Sequence, residues 1–460
     1  MRRISLLTLL ILAALAMASP RGAFAFDGHV RLSMGPAWSA GESLWRLTLG
    51  AGLRWESLPL GTQGYWFADD VTSDLRLQLQ VPVQLRLRTF DGESAGTLRR
   101  SEWQGAEDAL RVLRIVQLGQ PHEPLYLRVG ELANVRVGHR SVVDQLRNSV
   151  ERDRFRWGAS GSVVTRRGGV DVLVDSVVDP QVFGARLWLR PAPEEPVLRR
   201  LRVGTSLFAD PSAPRRLELL PDGRYAVDAR GRPRVEEETW AAVAGVEAAW
   251  DWWLTPQGGV STTVDVNTLL GYGAGLHLAL VWGATLADRW RTDGRAELRW
   301  IGPGYAPAYF GPLYELHRMA WRAIGDGTQR RPRLEWLATE KGAARLGGFG
   351  ELGLTWEEAL RAEVAVWEEQ GQGGAGWWLR LETRSVPRVV AALWWVQGEA
   401  PRLSDAFAAD GTLLLSETRV LLLSPIYVGA YYGRRFEADG EGQYRSQPEY
   451  GVMLGAEMGF

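Results

Sequence analysis

The sequence predicts an all-β chain, a transmembrane antiparallel up-and-down β-barrel of about 18–20 strands, on three observations: apolar residues recur with period two, no run after the N-terminus is long enough for a helical span, and long and short connections alternate. The stretch SDLRLQLQVPVQLRLRT (Ser73–Thr89) carries the period most clearly. From Leu75 to Arg88 every odd position is Leu or Val, and every even position is Arg, Gln or Pro. A helix would scatter these apolar residues around its circumference, whereas a strand places them on one face. At roughly 3.4 Å per residue such a strand spans about 48 Å, or about 34 Å when tilted by roughly 45°, close to the hydrocarbon thickness of a bilayer. A long strand in a soluble sandwich or propeller shows the same local pattern, so the rest of the chain decides.

At the N-terminus, Arg2 and Arg3 precede an apolar run from Ile4 to Ala18, and Ala23-Phe24-Ala25 has the small-x-small form of a cleavage site. This pattern is a secretory signal peptide, residues 1–25, cleaved after Ala25. Residues 26–460 then form a single barrel domain. The apolar run is short for an uncleaved membrane anchor. The chain has no Cys, which excludes disulfides, thiolate metal sites and a lipid-attachment cysteine.

Composition agrees with a barrel. Hydrophobic residues make up 46% of the chain although its mean hydropathy is slightly negative, because a barrel hides its apolar face in every second residue. The alternation recurs in LWRLTLGAGLRWE (Leu44–Glu56), GVSTTVDVNT, DGRAELRWIG and GWWLRLETR. Among about twenty candidate strands, one of them at 124–137 where Val135 and Val137 continue the alternation, the long connections 89–109, 138–153, 210–238, 303–346, 399–412 and 438–447 all follow odd-numbered strands. Tight turns such as Gln120–Glu123, Arg166–Gly168, Thr255–Gln257 and Ser385–Pro387 follow even-numbered ones. Short periplasmic turns and long extracellular loops produce that rhythm. The segment 57–74 breaks it. The 22 Trp, with Trp250, Trp252 and Trp253, Trp377 with Trp378, and Trp394 with Trp395 near strand ends, suit belts at the membrane–water interfaces.

The C-terminal stretch EYGVMLGAEMGF puts Tyr450, Val452, Leu454, Ala456, Met458 and Phe460 on one face and Gly451, Met453, Gly455, Glu457 and Gly459 on the other. With the signal peptide and the strand rhythm, it resembles the closing strand of porin-like bacterial outer-membrane β-barrel proteins. The resemblance implies a Gram-negative outer-membrane location among lipid and lipopolysaccharide. It also implies insertion by periplasmic chaperones and the barrel-assembly machinery, which would read Tyr450 and Phe460 as an assembly signal. It does not reach a named transporter.

A barrel of this width cannot be filled by wall side chains, so its lumen holds water, inward loops or a plug. The predicted lumen face carries Arg76, Arg86, Arg88, Arg154, Arg156, Arg186, Arg200, Arg202, Arg295 and Arg299. As pore-lining groups they would favour passage of small polar, particularly anionic, solutes. As cross-strand ion pairs with residues such as Asp171 and Asp175 they would only brace the wall. The segment Val137–Phe155 could fold inward as a constriction loop presenting Arg140, Asp144, Arg147 and Arg152, with Val142, Val143 and Leu146 at near-helical spacing. The cluster Tyr305, Tyr309, Phe310 and Tyr314 could line a solute path or pack a long loop. Net charge of −1 gives no nucleic-acid footprint. The expected function is porin-like passive transport. A non-conducting adhesin or surface-binding scaffold is the alternative, and a barrel hydrolase a weaker one. His139, Ser141 and Asp144 lie close in sequence without a known catalytic spacing, and the five His are dispersed. No catalytic residue, metal site or cofactor is therefore expected.

Overall fold

The structure is a computed structural model that describes residues 25–39, 42–58, 75–88, 110, 113–119, 123–150, 155–222, 224–228, 233–255, 257–287, 289–319, 322–324, 329–339, 342–357, 359–370, 374–383, 388–400, 412–438 and 444–459. The first half of the barrel comprises β1 (Ala25–Ser39), β2 (Glu42–Leu58), β3 (Leu75–Arg88), β4 (Ile115–Leu118), β5 (Leu125–Gly130), β6 (Gly158–Val164), β7 (Gly168–Val174), β8 (Phe183–Leu189), β9 (Leu201–Leu217) and β10 (Val235–Thr255). It continues with β11 (Gly258–Leu269), β12 (Gly273–Ala287) and β13 (Trp290–Ile301). A small hairpin, β14 (Arg322–Ile324) and β15 (Gln329–Arg331), interrupts the series. The wall resumes as β16 (Arg345–Trp356), β17 (Leu360–Glu369), β18 (Gly374–Thr383), β19 (Val389–Ala400), β20 (Thr412–Leu423), β21 (Ile426–Ala438) and β22 (Tyr444–Gly459).

Twenty of these strands form one sheet in which each pairs antiparallel with its neighbour in the chain, β13 passing directly to β16. The sheet closes on itself, because β22 pairs with β1 from His29 opposite Gly459 to Ser39 opposite Glu449. Closure removes both sheet edges, the one way an antiparallel sheet satisfies every backbone group within lipid. The longest connections among the described residues, between β5 and β6 and between β13 and β16, lie at one end of the barrel, although two short ones, β1–β2 and β11–β12, share that end; most connections at the other end are short. Residues 59–74, within the expected exception, lie outside the described residues, as do residues 1–24, where the signal peptide is expected.

The two faces separate as period two demands. On the outside, Leu32, Met34, Val246, Leu278, Leu298, Val452, Leu454 and Met458 are exposed, while Ser33, Thr48, Asp265, Glu297 and Glu351 point inward and are buried. An apolar band of this extent on a closed barrel is a lipid contact, since a soluble protein exposes only small apolar patches. Aromatic side chains rim the band. Trp38 stacks on Tyr450 at the long-loop end, and Trp290 on Trp356 at the short-turn end, with ring centroids 5.3 and 6.2 Å apart. Trp252 and Trp253 both face outward because a bulge between Asp251 and Trp253 inserts an extra residue there.

Two expectations about tryptophan need correction. Adjacent residues on a regular strand point to opposite faces, so only one of Trp377 and Trp378, and one of Trp394 and Trp395, can meet lipid. Trp377 and Trp395 pack edge to face at 4.6 Å, whereas Trp378 and Trp394 turn into the lumen and are buried in a hydrophobic cluster with Val150, Leu313 and Phe349.

The lumen is occupied from the long-loop end. The segment from Glu131 to Val150, between β5 and β6, folds inward and meets residues 302–319, which also turn in. Val143 bridges Phe310, and the Ala308 and Phe310 N–H groups donate to the carbonyls of Ser141 and Val142 at 2.9 and 3.1 Å. Leu132, Val142, Val143 and Leu146 pack there against Tyr305, Tyr309, Phe310, Tyr314 and the short helix Arg333–Thr339. The four aromatic residues of 302–319 thus form a core between loops, each 2% exposed or less. The near-helical spacing of Val142, Val143 and Leu146 yields no helix: Asn134, Arg140 and Gln145 adopt φ of 56°, 69° and 54°, and the segment is irregular.

Candidate functional site

The inward segment Glu131–Val150 is tied to the wall at three places. At its root, the Asn148 amide donates to the carbonyls of Gly130, Arg156 and Asp175 at 3.3, 3.1 and 2.8 Å, while its oxygen accepts from the Leu132 N–H at 2.8 Å. One side chain thereby satisfies four backbone groups where two strands stop and the chain departs from the wall. Burial acts to raise the Glu131 carboxyl, but Arg114, Arg147 and Arg128 outweigh it and hold the group at about 2.

The second tie is an arginine-rich anchor. Arg136 reaches Glu351 on β16 at 3.1 Å, Glu363 on β17 at 3.3 Å and Asp144 of its own segment at 3.6 Å. Arg140 donates to Glu351 at 2.7 Å. From the wall, Arg361 and Arg380 meet Glu363 at 2.6 and 3.2 Å, and Arg361 approaches Asp293 at 3.4 Å. Fork-shaped guanidinium groups can share carboxylates in this way because their donors lie in one plane.

The third tie lies against β10 and β11. His139 Nδ1 is 2.8 Å from Asp265 and 3.7 Å from Glu247. Arg186 donates to Glu247 at 2.6 Å and to Asp171 at 2.8 Å. The backbone here requires glycine: Gly138 has φ +58°, and a Cβ on it would lie 2.8 Å from Arg186 Cδ and 2.9 Å from Glu247 Oε2.

Arg147 differs from these cations. Its guanidinium lies 4.2 Å above the Trp394 ring, and among the described residues no carboxylate comes within ion-pair distance of it. Burial first, then Arg380 and Arg114, push it down to about 10 against the pull of Glu131 and Glu382. A cavity of about 110 Å³ opens between the two inward segments and the wall, bordered by Asp144, Arg299, Arg333, Arg345, Glu369 and Trp378. Liquid water takes about 30 Å³ per molecule, so the space suits a few waters or a small solute.

The wall arginines are laddered. Arg156 meets Asp175 at 2.5 Å, Arg186 meets Asp171, Arg202 meets Asp251 at 2.8 Å, and both Arg295 and Arg299 meet Glu297. Arg200 falls in the turn before β9 rather than on the strand, exposed, donating to the Trp252 carbonyl at 3.1 Å. Arg76, Arg86 and Arg88 lie on β3, whose side chains are outside the described residues, as are Arg152, Arg154 and Phe460. Within the loop, Arg140 and Asp144 come together around Arg136, and Arg147 stands apart. Ser141, His139 and Asp144 are not joined by hydrogen bonds: His139 bonds Asp265 and Asp144 faces Arg136.

Sequence reasoning passed over Arg136, Glu351, Glu363 and Glu247 as contacts of the loop. Arg136 stood inside an expected strand, 124–137, which ends at Gly130 instead. The one available signal was Gly130 itself, whose φ of +116° breaks the pairing.

A closed twenty-stranded barrel with a lipid-facing apolar band and an inward loop has the architecture of an outer-membrane β-barrel. No family model and no curated protein sequence matches the chain. Similar solved structures include Pseudomonas aeruginosa OccK11 (OpdR), with 13% identity, 95% of this chain and 96% of that chain covered and a TM-score of 0.34. P. aeruginosa OpdK with vanillate gives 10% identity, coverage of 95% and 99% and a TM-score of 0.35. Acinetobacter baumannii OccAB4 gives 10% identity, coverage of 95% and 99% and a TM-score of 0.30. At this overlap the likenesses carry nothing about individual residues or cargo.

Proposed function

We propose that the protein is an outer-membrane channel for small polar solutes, with a preference for anions, whose constriction is the inward segment Glu131–Val150. The observation that carries the reading is Arg147, a cation on that segment with a flat aromatic platform and no carboxylate partner among the described residues. Paired arginines present little net field to a passing ion, whereas an unpaired one is a fixed positive charge at the narrowing.

The test is single-channel recording of refolded protein in a planar bilayer under a salt gradient, comparing wild type with Arg147→Gln. The expected result is discrete steps, an anion-favouring reversal potential, and loss of about half or more of the anion-to-cation permeability ratio in the variant. A cation-favouring wild type, or a variant with unchanged selectivity, sinks the role of Arg147. A second reading, a non-conducting scaffold displaying its long connections, draws on the burial of the lumen ion pairs, with Glu297 and Glu363 side chains 1% exposed or less. A verified barrel that never conducts would favour it.

A further inference from the structure

The tie at β10 and β11 gathers an imidazole and two carboxylates that the chain keeps far apart. One donor atom from each of His139, Glu247 and Asp265 lies within 4.8 Å of the others. Glu247 and Asp265 are direct partners across the β10–β11 pair, both facing the lumen. Like charges opposite one another on one sheet face are destabilising, and burial sharpens the cost, since the three side chains are 10%, 11% and 2% exposed.

Arg186 answers only part of that charge. Its guanidinium is shared between Oε1 of Glu247 and Asp171, so one cation stands against three carboxylates. Among the described residues, the His139 ring is the sole basic group within ion-pair distance of Asp265. Glu247 Oε2 is left turned toward the ring. In this arrangement Nδ1–H donates to the Asp265 carboxylate at 2.8 Å. The ring's other nitrogen, Nε2, is buried without a partner among the described residues, so it can take up the ring proton and free the Nδ1 lone pair for a cation that replaces this hydrogen bond. The carboxylate is held in direction as well: a Cβ on Gly204, its partner on β9, would lie 2.7 Å from Glu247 Oε1, and Gly138 closes the other side.

We propose that His139, Glu247 and Asp265 bind a first-row divalent cation of the zinc class, which pins the inward segment to the barrel wall. Mixed imidazole and carboxylate donors suit Zn²⁺ better than Ca²⁺, which takes oxygen ligands. Zn–N and Zn–O bonds of about 2.0–2.2 Å put tetrahedral donors roughly 3.4 Å apart. The separations from Nδ1, 2.8 and 3.7 Å, bracket that value. Three protein ligands leave a fourth position for water. The neighbouring group of Asp293, Glu351 and Glu363 offers no nitrogen and is already met by Arg136, Arg140, Arg361 and Arg380. The ion-binding claim stands whether or not the barrel conducts.

The experiment strips refolded barrel with a chelator, then titrates Zn²⁺ by calorimetry and Co²⁺ by its visible ligand-field absorption. Wild type is expected to bind one ion per chain saturably, with the intense spectrum of a four-coordinate site. His139→Ala and Asp265→Asn are each expected to weaken binding at least ten-fold, with heat-dependent gel mobility verifying that each barrel has closed. His139→Gln replaces His139→Ala if the latter fails to close. No saturable binding in wild type, or binding that both substitutions leave intact, overturns the proposal.

Discussion

Two carboxylate groups hold the same inward segment against the same wall, and they differ in what neutralises them. At β16 and β17, Asp293, Glu351 and Glu363 are matched by four guanidinium groups, two from the segment and two from the wall. At β10 and β11, Glu247 and Asp265 meet one shared arginine and one imidazole. An arginine is charged at every physiological pH and cannot be exchanged for another cation. The first anchor is therefore permanent. The second is conditional, because an imidazole can yield its place to a metal ion. Gly138, with its left-handed backbone, sits at the conditional side.

The largest expected effect comes from breaking the permanent anchor. Arg136→Ala leaves Glu351 to Arg140 and Glu363 to Arg361 and Arg380, so its cost, about 2–3 kcal/mol, stays below the penalty of about 3–5 kcal/mol for a buried charge left with no partner. Hydrogen exchange should show that loss in amides of residues 131–150, while strand amides away from the loop keep their protection. Equal loss throughout the barrel would mean that the anchor supports the wall instead. Gly138→Ala attacks the conditional side and should cost less, about 1–2 kcal/mol for the left-handed backbone alone, plus the overlap with Arg186. Its effect should appear as faster proteolysis near His139 and weaker metal binding, with the arginine-rich side still protected.

The smallest effect sharpens the distinction rather than breaking it. Glu131, like the first anchor, is neutralised by arginine, and its carboxyl sits at about 2 instead of 4.5. A depressed carboxyl contributes stability that is whole above its unfolded value and disappears as pH falls through its folded value. Protection factors at the root of the segment should thus stay level from pH 8 to 5 and decline only from about 4.5 toward 2. A decline already under way near pH 6 would show that the root is not governed by Glu131.

Much of the wall was legible because lipid and lumen impose opposite demands on alternate residues, most clearly in long strands such as β3, β11 and β13. Pairs such as Asp171 with Arg186 were legible too, since their strands are consecutive. The interior was not. Trp378 and Trp394 read as interface residues because sequence gives the period but not its phase where both neighbours are aromatic. Val135 and Val137 read as strand because they alternate, yet the apolar surface they meet is a loop core rather than lipid. His139 could not be joined to Glu247 and Asp265 from the sequence, since that encounter needs β10 and β11 to stand beside the point where the segment turns in.

The pairing of β1 with β22 also has a kinetic side. His29 and Gly459, partners in that seam, lie 430 positions apart. Every other wall pairing joins consecutive barrel strands and can zip locally, but this one must close a ring through the whole sheet. Loop-closure entropy for a chain that long amounts to about 5 kcal/mol, and pairings of such high contact order form slowly. Until the seam closes, β1 and β22 are two open edges able to pair with another molecule as readily as with each other. The competition between ring closure and polymerisation is thus set by a single strand pair.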